Sequence, residues 1–349
     1  MQRLCIFLYQ NASDRIRTRA LLCHAYHHAL HDRFQQARDL FLMSHLQETI
    51  NLTDTNTKIL YNRAMVQLGL SAFRHGLTRE TQNALLEVFT SGKIKELLAQ
   101  GIVQSRFGEK DPEQEKLERQ RQYPFHMHIN YDLLEAVYYT SAMIQETAYM
   151  ASESYEPRRR PISKPFRRLM EIHRMQLFTA PPENTREHVA HATKALLQGD
   201  WRKCQQYIFA IKIWDLLPNK AKIFEMLARK IQEEGLRVYM LSYGNLYENV
   251  SLERLATLFE LSPSAVQSVL SRMIYNEELH AALDPIAGVV VLQRTDPSRL
   301  RALAMQYAEK VRASARSSMS DASCIVVVVD AGRRHIVAHW PSLPGRCLR

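Results

Sequence analysis

The chain has 349 residues, 46% of them hydrophobic and 23% charged, a balance that supports one or two packed cores and excludes a mostly disordered polymer. Its 46 Lys and Arg against 36 Asp and Glu leave a net charge of +10, which favours polyanionic partners without naming one. The five cysteines (Cys5, Cys23, Cys204, Cys324 and Cys347) are odd in number and never spaced as CxxC, so neither a disulfide framework nor a zinc knuckle is supported. No apolar run reaches membrane-spanning length, and Leu4 to Tyr9 is too short for a secretory core. The expectation is therefore a soluble, cytoplasmic protein with no membrane partner.

Glycine is sparse, at 11 residues, and the apolar positions recur mainly at helical spacing, which predicts a mainly α fold with one small β element. From residue 15 to about 234 one short amphipathic helix follows another. Leu22, Ala25, Tyr26 and Ala29 fall at i, i+3, i+4 and i+7, as do Met65, Leu68, Gly69 and Ala72, then Cys204, Tyr207, Ile208 and Ile211, then Phe224, Leu227, Ala228 and Ile231. Each stripe needs a partner helix, and turn signals such as His75-Gly76 and Gly199-Asp200 separate them, so residues 1–234 are predicted to stack as a helical-repeat solenoid of loose period. Two stretches interrupt it: the polar run 106–122, and 156–168 with its three prolines and six basic side chains. Both read as exposed connectors outside the core.

Residues 235–295 change character. Leu236, Tyr239, Met240 and Tyr243 mark a first helix, and Ser251 is placed to cap a second that carries Leu252, Leu255, Ala256 and Phe259. Ser262-Pro263 opens a third, with Val266, Val269, Leu270 and Met273 as its buried stripe. Leu279 to Leu283, the turn Asp284 to Gly288 and the run Val289 to Leu292 then predict a hairpin. Three helices and a hairpin make a winged helix. Val289, Val290, Val291 and Leu292 are expected to leave an unpaired edge that recruits a strand from a partner. A further helix is predicted over 296–316, and 317–349 is a tail without an assigned role.

Motifs for catalysis are lacking: there is no GxGxxG, GxxxxGK[ST], GxSxG or HExxH. His24, His27, His28 and His31 share one helical face within reach of a single ion, but neighbouring residues supply no carboxylate at a position suited to a general base, so a packing or surface role is expected, with no metal and no cofactor. The tyrosines Tyr138 and Tyr139 lie on a helical stripe and are expected in the core. Arg158, Arg159, Arg160, Lys164, Arg167 and Arg168 could grip phosphates by charge alone, which makes them the candidate RNA-binding residues.

A solenoid capped by a winged helix is the layout of the PCI domain family, whose members sit in the proteasome lid, the COP9 signalosome and translation initiation factor 3. Long stretches choose among these: 14–47 (DRIRTRALLCHAYHHALHDRFQQARDLFLMSHLQ), 59–78 (ILYNRAMVQLGLSAFRHGLT), 124–144 (PFHMHINYDLLEAVYYTSAMI), 228–243 (ARKIQEEGLRVYMLSY) and 258–284 resemble the C-terminal part of the c-subunit family of eukaryotic translation initiation factor 3. The resemblance covers roughly 14–310. It implies a non-catalytic scaffold that helps assemble the factor, with other subunits, above all subunit a, and the 40S ribosomal subunit with its rRNA as partners, and no small-molecule substrate. A lid or signalosome PCI subunit shares the fold without the residue-level match. A DNA-binding winged-helix regulator is the other alternative, and 263–276 offers it one basic residue, Arg272.

Overall fold

The computed structural model describes residues 1–101, 112–152, 163–176, 181–217, 219–284 and 286–293, with a few positions between 303 and 311. The chain divides into two units, Met1–Thr295 and Asp296–Arg349. In the second, the described positions Leu303, Ala304, Tyr307, Ala308, Lys310 and Val311 are helical, and the tail from 317 lies outside the described residues.

The first unit begins with α1 (Gln2–Asn11), α2 (Asp14–Leu30), α3 (Phe34–Met43), the short α4 (Leu46–Thr49), α5 (Thr55–Arg74), α6 (Thr78–Thr90) and the short α7 (Ile94–Leu97). Helix α5 is sandwiched between α2 and α6. Small side chains allow the approach: Ala25 and Ala29 on α2 and Ala64 and Ala72 on α5 are fully buried. On the other side of α5, a Cβ at Gly69 would stand 2.9 Å from Cδ2 of the buried Leu85 on α6. Any larger residue there would force the Leu85 side chain or its helix to shift.

Next come α8 (Pro112–Gln120), α9 (Tyr131–Ser152), α10 (Lys164–Met175), α11 (Thr185–Leu197), α12 (Trp201–Phe209) and α13 (Lys220–Tyr243). Two expectations are corrected here. The polar run expected as a connector forms helix α8 over part of its length, helped by an Arg119–Glu115 i,i+4 pair at 2.7 Å; residues 102–111 lie outside the described residues. The stretch ending at 168 does reach the core, because Ser163 and Phe166 are completely buried. Tyr138 and Tyr139 are core residues, as their spacing predicts, with Tyr138 stacked on Phe89 at 3.9 Å between centroids.

The last part is β1 (Asn249–Ser251), α14 (Leu252–Phe259), α15 (Pro263–Tyr275), β2 (Ala281–Asp284) and β3 (Val289–Leu292). Ser262 caps α15 through a 3.3 Å bond from Ala265 N–H, with Pro263 at the first helical position; Ser251 precedes α14 without a side-chain cap bond. The division expected at 234/235 falls inside an unbroken α13. Its buried stripe, Ile223, Leu227, Ile231, Leu236 and Met240, runs straight through, and one apolar core extends from Val66 to Leu292. Gly235 makes this possible by letting α13 approach Trp201, whose Cβ would meet an added Cβ at 3.1 Å. A second, smaller core joins Leu22 through Ala72 at the N-terminal end.

Candidate partner and nucleic-acid interface

Of the candidate RNA-binding residues, Arg158, Arg159 and Arg160 lie outside the described residues. Lys164, Arg167 and Arg168 stand on the first turns of helix α10, not in a loop as expected. Ser163 caps that helix, its Oγ accepting from Phe166 N–H at 3.3 Å. A buried polar network fixes the cap in place. Glu146 of α9, 2% exposed, accepts from the Ser163 backbone N–H and from Gln82 Nε2, and the Tyr138 hydroxyl lies 2.7 Å from Ser163 Oγ. Burial pushes the Glu146 carboxyl above its usual range, with the Ser163 N–H and Arg167 pulling it back; burial likewise lifts Tyr138 to about 12.

That network decides which cations are available. Arg167 turns inward, its Nε 3.6 Å from Glu146, and so partly neutralises a carboxylate that would otherwise be buried unpaired. Lys164 and Arg168, one helical turn apart, are both exposed. The foot of the basic segment is thus rigid, and two of its three described cations face outward.

The sheet differs from expectation. Its order is β1-β3-β2, all antiparallel, so Val289, Val290, Val291 and Leu292 form the central strand and offer no free edge. A three-residue strand, Asn249–Ser251, occupies the side that the hairpin alone would leave open; it is too short to carry an alternating pattern. Val290 and Leu292 face the core, and Val289 and Val291 lie on the opposite face. The bond from Gln293 N–H to His280 O sets the ladder phase, which turns the backbone groups of Ala281 and Leu283 off the outer edge of β2. Among the described residues that edge of β2, not β3, is left unpaired.

A charged triad fastens the turn after α15 to α13, the helix that the array and the winged helix share. Arg237 on α13 forms a two-pronged pair with Glu234 (2.9 and 3.0 Å) and reaches Glu278, beyond α15, at 2.8 Å. Burial raises the Glu234 carboxyl, while the two carboxylates hold Arg237 firmly protonated. Nothing in the sequence marked these three, because Glu278 is 41 positions from Arg237.

On α15 the outward residues are Ser264, Gln267, Ser268, Ser271, Arg272 and Tyr275, a surface with one cation and little to read a major groove. A cleft of about 630 Å³, bounded by Asp200, Trp201, Arg202, Glu253, Arg254 and Leu258, holds no nucleophile paired with a base. The four histidines do not converge on one point. His24 and His28 share a 3.0 Å Nε2–Nε2 contact and the Tyr9 hydroxyl meets His24 Nδ1 at 3.1 Å, whereas His27 packs edge-on to His31 at 4.4 Å. Among the described residues no helix is long and apolar enough to cross a membrane.

A helical array running into a winged helix on one continuous core defines a PCI-type protein. A family model described as PCI domain matches residues 203–294, and one described as the N-terminus of eukaryotic translation initiation factor 3 subunit 8 matches 1–157. Proteins named as the C subunit of eukaryotic translation initiation factor 3 are similar over most of the chain: 50% identical over 310 residues in Schizosaccharomyces pombe, 51% over 316 in Danio rerio and 52% over 316 in Culex quinquefasciatus. These alignments cover 88%, 89% and 89% of this chain but 34%, 34% and 35% of the relatives, so the chain spans about a third of their length. It is a homologue of these C subunits of translation initiation factor 3 and belongs to their family.

Proposed function

We propose that the chain acts in the cytoplasm as a non-catalytic scaffold subunit of the translation initiation factor 3 complex, supporting its assembly and its binding to the small ribosomal subunit. The observation that carries this reading is the identity of about half the residues over 310 to 316 positions, from the helical array through the winged helix. Its partners are then other subunits of the factor, especially subunit a, joined through the outer edge of β2 at Ala281 and Leu283. The rRNA of the 40S particle is met by charge, through the exposed Lys164 and Arg168 together with Arg158, Arg159 and Arg160. The DNA-regulator reading is disfavoured by the near-absence of cations on α15.

The test is affinity purification of the tagged full chain, with sedimentation of the eluate against 40S subunits. Initiation factor 3 subunits should co-purify and the assembly should sediment with 40S; absence of both sinks the scaffold reading. Replacing Lys164 and Arg168 by Ala should weaken 40S binding and flatten the log K against log salt plot by about 1.5 units, as expected for two lost phosphate contacts. An unchanged slope would make the pair ordinary solvated surface.

A further inference from the structure

Phe125 is 89% exposed, yet the turn that carries it is tied on every side. Tyr123 N–H donates to Ala99 O at 2.9 Å, Met127 N–H to Pro124 O at 2.9 Å and His128 N–H to Phe125 O at 3.0 Å, while the His128 ring closes on Tyr123 O at 2.9 Å. From α5 the buried Arg63 donates to Leu98 O at 3.2 Å and to Met127 O, with its guanidinium 4.2 Å from the Tyr123 ring centre. The Phe125 ring itself rests against His128 at 5.4 Å. Its exposure is therefore not fraying. The ring is held out by a clamped backbone, with Met127, 45% exposed, beside it.

Such a feature has the properties of a binding anchor. A rigidly presented aromatic loses little conformational freedom on docking, and Phe and Met are enriched in the cores of protein interfaces. The choice between protein and nucleic acid follows from charge, since residues 122–131 contain no Asp, Glu, Lys or Arg and the Arg63 guanidinium that reaches the turn is buried and bonded to carbonyls, so the tip itself offers no exposed cation to a phosphate. We propose that Phe125, flanked by Met127, is a docking knob that enters an uncharged apolar pocket on a neighbouring protein subunit. The proposal rests on the reading of the chain as a subunit of initiation factor 3, and that neighbour is another subunit of the factor.

The tagged full chain carrying Phe125→Ala should keep the thermal midpoint of the parent, because the ring is outside the core, and should lose at least about tenfold of one co-purifying subunit, the effect of truncating an interface anchor. Phe125→Leu should restore part of that recovery. A benzophenone amino acid at position 125 should photocrosslink to the same subunit. Equal recovery of every subunit with Phe125→Ala, an adduct with RNA, or no adduct would overturn the knob. Should the parent chain recover no initiation factor 3 subunit, the scaffold reading and the knob's assigned neighbour fall together; intact co-purification with an unaffected Phe125→Ala removes the knob alone.

Discussion

Arg63 is fully buried and Arg237 half-buried, and the two guanidiniums do opposite work. Arg63, 2% exposed, has no carboxylate within ion-pair distance among the described residues; its bonds go to the carbonyls of Leu98 and Met127 and its face to Tyr123. Arg237 lies between two carboxylates, Glu234 on its own helix and Glu278 after α15. The first uses the five-donor fork of arginine to fasten two irregular connections to a helix. The second uses its charge to fasten the turn after α15 to α13, the helix shared by the array and the winged helix. A buried arginine clamps loops or joins packing units according to what its neighbours can accept, and the two regions should fail differently when it is removed.

The largest effect is expected from Arg237→Ala. It leaves Glu234 and Glu278 desolvated and facing each other, a change worth about 3–5 kcal/mol, read as a lower urea midpoint. A loss below about 1 kcal/mol would mean that apolar packing across Gly235 and Trp201, not the triad, holds the junction.

Arg63→Met keeps most of the side-chain volume and removes donors from two carbonyls, at about 1–3 kcal/mol. Hydrogen exchange should accelerate at 97–101 and 123–129 and stay slow in β1, β2 and β3. Faster exchange in the sheet as well would show that the two arginines share one cooperative unit.

The smallest effect concerns a part-buried polar site built without a guanidinium bond, the Tyr9–His24–His28 chain. Burial, followed by the charge of His27 for His24 and of His24 for His28, lowers the pKa of both from the ordinary 6.5, and only one of the two facing Nε2 atoms can carry a proton. Below pH 6.5 the unfolded chain binds more protons than the folded one, so stability present at neutral pH declines as pH falls through the lowered folded values. Thermal midpoints should drop between pH 7.5 and 5.5, and less so in a His24→Gln, His28→Gln variant; equal slopes would remove these histidines as the cause.

Local pattern made much of the molecule legible. The stripes on α2, α5, α12 and α13 have their partners, Ser262-Pro263 starts α15, and the strand Val289–Leu292 lies where its β-branched run places it, because each depends on neighbours within a few positions. The errors fall where a distant partner decides. Residues 163–168 look like a solvated basic loop until Glu146 and Tyr138 bury Ser163 and claim Arg167. The hairpin looks open-edged until Asn249–Ser251 pairs with β3, and the change of pattern at 234/235 looks like a domain boundary until Gly235 lets Trp201 pack on an unbroken α13. Sequence alone determined the helical class, the winged helix and the family likeness, all carried by short-range spacing and residue identity. Only the tertiary structure decided which charges face water, which strand edge is free and which ring is held outward, because burial depends on contacts that sequence spacing does not encode.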